Sequence, residues 1–204
     1  MTEDLRAQAV KESLHDYLRS NRTELLAKLD GLGERDLRRP LTRTGTNLLG
    51  LVKHVASVQL GYFGETFGRP TAVEMPWLAD DADVNADMWA TPDETSQQIF
   101  EFWQYSAEHS DETIRMLDLD SPGSVPWWPQ ERRAVTLGLV LTRMLAEIAR
   151  HAGHADIVRE LIDGSAGNND GNLPDQSDDQ WSAYRERLAA AAEEAERRYG
   201  GRGA

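Results

Sequence analysis

The chain has 204 residues, a formal net charge of −13 and no cysteine. The length allows one domain and a further short segment, and the lack of cysteine excludes disulfides, Cys-ligated zinc and a catalytic thiol, which fits a cytoplasmic protein. Nucleic-acid binding is not expected because an acidic surface repels phosphate, and neither a membrane span nor a signal peptide is expected because no long apolar stretch exists.

Helical periodicity dominates the first third of the chain. Leucine and valine recur at helical spacings over residues 4–29, and two glycines then end this first helix. Thr46 or Asn47 is a suitable N-cap for a second helix over about residues 48–67. Gly68 follows the last periodic residue and predicts the end of that helix.

The middle of the chain begins with a connection rather than a strand. Residues 70–90 contain two prolines and several aspartates, so they predict a loop of about twenty residues. Thr91, Pro92 and Glu94 then have the spacing of a capping box. The third helix is predicted to start there and to end near Leu117.

The last third of the chain contains two more predicted helices. A loop over residues 118–134 leads to a fourth helix over about residues 135–163. The polar stretch SAGNNDGNLPDQ follows it and predicts a flexible segment. Ser177 and Gln180 have capping-box spacing and open an amphipathic helix over about residues 178–199, whose apolar face can pack on the bundle or on a partner.

These elements predict an all-α fold without strands: a four-helix bundle with a long crossover connection, plus an additional C-terminal helix. The connection between helices two and three is long enough to cross the bundle, so simple up-and-down order is not required. We expect the bundle over residues 1–165, a flexible linker over residues 166–177, and the amphipathic helix and tail over residues 178–204.

The stretch EIARHAGHADI on helix four contains a candidate metal-binding pair. At 100° per residue, Glu147 and His151 lie at the margin of the apolar stripe that faces the core. A buried carboxylate is costly unless it is paired or metal-bound, and side chains four apart on a helix can reach one ion. The alternative is a hydrogen-bonded pair without metal, because Glu-x-x-x-His occurs often by chance.

Helix two offers a third ligand. His54 lies at the margin of its apolar stripe, although a lone histidine in such a place is usually a core or rim residue. Two histidines and one carboxylate leave positions open for water and substrate, which is typical of catalytic metal sites. Such ligands favour zinc or nickel, with iron or manganese as alternatives. His15 and His109 are predicted to be surface or rim residues.

Three segments, GTNLLGLVKHVASVQLGYFGETFGRP, VPWWP and EIARHAGHADIVRELIDG, resemble the DinB-like superfamily. The resemblance covers most of residues 5–165 and is closest to small actinobacterial proteins of that superfamily. It implies a four-helix bundle, often a homodimer, with one metal ligand on helix two and a pair on helix four. By position His54 takes the first role. Glu147 and His151 form the pair, as in relatives that resemble mycothiol-dependent maleylpyruvate isomerase.

The resemblance also implies an activity. A divalent metal would lower the pKa of a low-molecular-weight thiol, mycothiol in actinobacterial relatives, and the thiolate would attack a small electrophile. The expected enzyme is thus a metal-dependent thiol S-transferase or isomerase. His154, one turn past His151, is predicted to be an acid/base group or to support a ligand, or else to make a hydrogen bond at the bundle end. Relatives often have histidine in place of Arg143.

Two other functions stay open. Metal-activated water at the same three residues would give a hydrolase, which thiol dependence of the activity would distinguish. A non-catalytic, stress-related bundle or dimerisation module would keep the metal site only as a vestige. Trp127 and Trp128 are expected to pack on the bundle, with the mouth of the metal site and a dimer contact as alternatives.

Overall fold

The computed structural model describes residues 3–167 and 173–200. Residues 168–172 of the predicted linker and residues 201–204 of the predicted tail lie outside the described part of the chain. Two compact units are present, Met1–Ala166 and Gly167–Ala204. Each is described by itself below.

The first unit is an all-α bundle, as predicted. Its four long helices are α1 (Glu3–Ala27), α3 (Leu48–Phe63), α4 (Ser96–Met116) and α5 (Leu137–Asp163), and a short helix α2 (Glu34–Arg38) follows α1. Helix α3 packs against both α4 and α5, and α1 packs along α5. The periodic apolar side chains of these helices form one core, which includes the fully buried residues Leu18, Leu25, Leu51, Leu60, Ile114, Leu141 and Met144.

The absence of strands was a wrong prediction. Two three-residue strands, β1 (Pro122–Ser124) and β2 (Ala134–Thr136), pair antiparallel in the loop between α4 and α5. Val135 of β2 is buried and lies opposite Gly123 of β1. Strands this short contain too few residues for an alternating pattern to be recognised in the sequence.

Helix α4 begins later than predicted. Thr95 is its N-cap: the Thr95 Oγ1 accepts from the Gln98 backbone N–H at 3.1 Å, and the Gln98 Oε1 accepts from the Thr95 N–H at 2.8 Å. The predicted capping box at Thr91 is an isolated turn, in which the Glu94 carboxylate accepts from the Thr91 N–H. That carboxylate also binds the Lys53 ammonium, a long-range contact that the local pattern could not reveal.

The long connection between α3 and α4 contains no strand, as predicted. It begins with a 3₁₀ turn at Glu65–Phe67, so α3 ends before residue 67 as a regular α-helix. Two more such turns follow, Pro76–Leu78 and Ala86–Met88. The second of these lies against α3.

The second unit contains helix α6 (Asp178–Tyr199). Its predicted capping box is confirmed, because both reciprocal hydrogen bonds between Ser177 and Gln180 are present. None of the described residues of α6 is buried. Across the described ranges of both units, no helix is long and apolar enough to cross a bilayer.

Candidate metal centre

Three side chains from α3 and α5 meet at the interface of the two helices. One potential ligand atom each from His54, Glu147 and His151 lies within 4.8 Å of the other two. The Glu147 Oε1 is 3.1 Å from the His151 Nε2 and 3.5 Å from the His54 Nε2. The fold thus brings together the three residues that the sequence predicts as ligands.

This cluster is open to solvent on one side. The His151 side chain is 9% exposed, whereas those of His54 and Glu147 are 18% and 31% exposed. Two imidazole nitrogens and one carboxylate oxygen are a donor set that divalent metals accept, and three protein ligands leave positions free for other ligands. The residues present therefore fit a catalytic type of metal site.

Asp87 completes the cluster, and sequence reasoning missed it. Its Oδ2 accepts a hydrogen bond of 2.6 Å from the His54 Nδ1. Metal-bound histidines commonly make this contact to a carboxylate through their second nitrogen. The only sequence signal is the group of four aspartates in residues 80–87, which gives no indication of which one contacts α3.

A buried lysine holds the turn that carries Asp87. Lys53 is 1% exposed, and its Nζ donates to the backbone carbonyls of Ala86 at 3.2 Å and Trp89 at 3.0 Å. The same ammonium pairs with Glu94 at 2.7 Å. Because Lys53 precedes His54 on α3, the two side chains point about 100° apart, one into the turn and one into the cluster.

The N-terminal end of α3 contacts the same turn. The Asn47 Oδ1 caps the helix by accepting from the Gly50 N–H at 2.8 Å, and its Nδ2 donates to the Met88 carbonyl at 3.2 Å. Gly50 lies directly under that carbonyl, since a Cβ at position 50 would be 1.8 Å from the Met88 oxygen. The position of Asp87 is therefore set by the first two turns of α3.

The protonation of the cluster follows from these contacts. Burial lowers the pKa of His54, but the hydrogen bond and charge of Asp87, helped by Glu147, leave that pKa above its ordinary value. Burial and the nearby His54 lower the pKa of His151. Burial raises the pKa of Glu147, but the hydrogen bonds with both histidines outweigh it and lower that pKa overall. The ionised Glu147 and the neutral His151 suit metal binding, whereas the raised pKa of His54 means that a metal has to displace a proton from it at acidic pH.

His154 lies next to the cluster without joining its donor atoms. The His154 side chain is on the exposed side of α5, and its ring centroid lies 5.4 Å from that of His151 in an edge-on arrangement. The His151 Nδ1 is buried and has no hydrogen-bond partner within residues 3–167 and 173–200. The ring contact between His154 and His151 is compatible with an acid/base or ligand-supporting role for His154 and with a hydrogen bond at the bundle end.

The two other histidines are not alike. His15 is 8% exposed, and its Nε2 contacts the Asp111 carboxylate of α4 at 2.9 Å, so its prediction as a surface residue was wrong. The reason is the packing of α1 beside α4, where Asp111 also pairs with Arg22. His109 is a partly buried rim residue, as predicted, and its Nε2 donates to the Arg69 carbonyl at 2.9 Å.

Trp127 and Trp128 pack on α3 beyond the cluster. Both rings contact Tyr62 edge-on, with centroid distances of 5.1 and 6.0 Å. The Trp128 Nε1 donates to the Tyr62 hydroxyl at 3.1 Å. The Trp127 ring lies over Gly61, where a Cβ would be 3.2 Å from it, yet half of Trp127 remains exposed. Packing was the predicted role of this pair.

Comparison with known proteins identifies the family. The chain matches the model of the mycothiol-S-transferase family over residues 13–164, a range that includes all three candidate ligands. No curated protein matches the chain. Since the match covers most of the sequence, the chain belongs to the mycothiol-S-transferase family, a DinB-like family.

Proposed function

We propose that the chain is a divalent-metal-dependent enzyme that transfers a low-molecular-weight thiol of the mycothiol type to a small electrophile, or isomerises such an adduct. His54, Glu147 and His151 would bind the metal, zinc or nickel in preference to iron or manganese. The observation that carries the proposal is the meeting of these three donors at a solvent-open margin of the core. Membership of the mycothiol-S-transferase family supports a thiol of the mycothiol type as the co-substrate.

The hydrogen bonds of the cluster support a cation at its centre. When the His54 Nδ1–H donates to Asp87, the lone pair of the His54 Nε2 points towards the Glu147 carboxylate. Two acceptors 3.5 Å apart repel each other unless a proton or a cation lies between them. The Asp87 contact therefore prepares His54 to act as a ligand.

The chemistry divides between the protein and its co-substrate. A bound divalent ion would supply Lewis acidity that favours the thiolate form of the thiol. The chain has no cysteine, so the nucleophile has to arrive with the co-substrate. The thiol sulfur loses its proton and forms a bond to the electrophilic carbon, while the bond from that carbon to its leaving group breaks and the group departs with the electron pair. In this proposal His154, exposed beside His151, accepts that proton.

Two structural predictions belong to the proposal. The family resemblance implies a homodimer, which light scattering of the full chain would detect. The division into a bundle (1–165), a flexible linker (166–177) and a C-terminal helix with its tail (178–204) predicts that a protease cuts first within residues 166–177.

The test is metal content by plasma mass spectrometry of untagged protein. We expect about one divalent ion per chain in the wild type and none in a His54→Ala, His151→Ala double variant. His109→Ala is the matched control, because it removes a partly buried histidine outside the cluster and should keep the metal. Transfer of a thiol to an electrophile by the loaded protein would then separate this function from a hydrolase. Wild-type protein that stays metal-free after incubation with zinc or nickel would refute the proposal.

A further inference from the structure

Arg143 lies on α5 one helical turn before Glu147, and its guanidinium is held in a fixed orientation. The Arg143 Nε donates to the Tyr62 hydroxyl at 3.0 Å. Its guanidinium carbon is 5.1 Å from the centroid of the Trp128 ring and 5.4 Å from that of Tyr62. Arg143 is nevertheless exposed, and its two Nη groups have no hydrogen-bond acceptor in the part of the chain that the structure describes.

The Tyr62 hydroxyl is a third donor beside the two Nη groups of Arg143. A phenol oxygen has two lone pairs and one hydrogen. The Arg143 Nε–H and the Trp128 Nε1–H occupy both lone pairs, so the hydroxyl hydrogen needs an acceptor elsewhere. Within the described residues it has none, although Tyr62 is only 6% exposed. The hydroxyl hydrogen can therefore bond to an oxygen of a bound ligand.

Two arginines, Arg143 and Arg150, lie on this side of α5, although the chain as a whole has a net charge of −13. The neighbouring cluster contains two carboxylates, Glu147 and Asp87. Arg150 comes seven residues after Arg143 and therefore lies on the same side of the helix. The Arg143 Nη groups and the Tyr62 hydroxyl, which have no acceptor among the described residues, are the kind of donors that bind a carboxylate.

We propose that Arg143 and Tyr62 bind a carboxylate of the electrophilic substrate, so that the enzyme selects anionic electrophiles. The inference rests on the proposed function, since the reactive carbon of that substrate has to lie at the cluster of His54, Glu147 and His151. The Cβ atoms of residues four apart on a helix are about 5–6 Å apart. The Arg143 guanidinium itself bonds to Tyr62, which comes eight residues after His54 and therefore about 12 Å further along α3. The substrate has to span roughly that distance between its carboxylate and its reactive carbon.

The probe for this subsite is benzoate, whose ring can lie against the half-exposed Trp127. Benzamide is the neutral control, because it has the same shape without the charge. The ¹H–¹⁵N signals of the Trp127 and Trp128 indoles report binding, and they do not depend on metal or turnover. We expect benzoate, and not benzamide at the same concentration, to shift both signals with saturation.

Variants of the two residues test the assignment. Arg143→Gln should raise the Kd for benzoate by about tenfold, because it removes a charge-assisted forked contact. Arg143→Lys keeps the charge but loses the fork, so the Kd should rise by about threefold. Tyr62→Phe removes one donor and releases the Arg143 side chain, so the Kd for benzoate should rise by about threefold, as for Arg143→Lys. Arg6→Gln, at an exposed arginine of α1, makes the same charge change and should leave the Kd within about twofold.

Equal benzoate affinity of the wild type and Arg143→Gln, or no saturable shift in the wild type, would overturn the proposal. Metal content of the same samples tests the proposed function separately, and Arg143→Gln should retain the wild-type amount. A protein that binds benzoate through Arg143 but never binds metal would support the anion subsite and refute the proposed function.

Discussion

Substituting Gly50 by alanine should push the turn that carries Asp87 away from α3. The added Cβ would lie 1.8 Å from the Met88 oxygen and 2.5 Å from its carbonyl carbon. A carbon–oxygen contact normally requires about 3.3 Å, so the carbonyl has to retreat by roughly 1.5 Å. Both atoms are backbone, which cannot move aside by a change of rotamer. Overpacking of this kind destabilises a protein by about 1–3 kcal/mol, against about 1 kcal/mol gained from replacing glycine in a helix.

The displacement is large compared with the contacts of the turn. Hydrogen bonds from Lys53 to Trp89 and from His54 to Asp87 have lengths of 3.0 and 2.6 Å. A shift of roughly 1.5 Å takes such contacts beyond hydrogen-bonding distance. His54 would then lose the carboxylate that orients its ring. Loss of such an outer partner typically weakens metal binding by about 10- to 100-fold.

Two measurements check this expectation: urea unfolding of the metal-free protein, and metal affinity by competition with a chelator. Gly153→Ala is the matched control on α5, because a Cβ there meets nothing within 4 Å. It should stabilise the protein by about 0.5–1 kcal/mol and leave metal affinity unchanged. If Gly50→Ala binds metal as tightly as the wild type, the turn does not set the position of Asp87 and the reasoning fails.

Three further predictions concern charge. Glu147→Gln should abolish stoichiometric metal binding in the mass-spectrometric assay, because it leaves two histidines as the only ligands. Asp87→Asn should lower the pKa of His54 in an NMR titration of the metal-free protein. In the wild type the pKa of His54 is raised, so protonated His54 stabilises the protein at acidic pH. This stabilisation disappears as the pH rises above about 6.5 and passes the folded-state pKa. The Asp87→Asn variant should lack this stabilisation. Asp111→Asn should destabilise the protein by about 3 kcal/mol at pH 7 in urea unfolding, since it leaves the buried Arg22 without its carboxylate partner. The pKa of Asp111 is depressed, so the difference from the wild type should persist at neutral pH and shrink only below about pH 3.9; a constant difference down to pH 2 would contradict the assignment.

The sequence was sufficient for the features that depend on helical spacing. Glu147 and His151 are four apart on one helix, so their proximity follows from the helix alone. His54 could be placed at a core margin, but its meeting with that pair required the family resemblance or the fold. The four long helices were predicted for the same reason, within a few residues at their ends.

The features that were missed depend on contacts between distant segments. The Thr91 turn resembles a helix start, but the Glu94 carboxylate that completes it binds Lys53, which is 41 residues away. His15 has an ordinary surface sequence around it, and only the packing of Asp111 from α4 buries it. No local pattern contains such information, because each partner lies on another element.

The helices and the long connection contribute different residues to the candidate metal site. The three candidate ligands lie on α3 and α5, which are fixed by the core, whereas Asp87 lies on the 3₁₀ turn Ala86–Met88 of the long connection. Lys53, next to His54 on α3, donates to that connection from a buried position, and Asn47 donates to it from the start of the same helix. A buried ammonium is costly unless it is fully paired. The hydrogen bonds from Lys53 to the Ala86 and Trp89 carbonyls therefore explain why this lysine is buried. Loosening the connection would change the basicity and the orientation of the His54 ring while leaving the two helices in place. Substitutions in the connection should therefore alter metal affinity more than they alter the bundle.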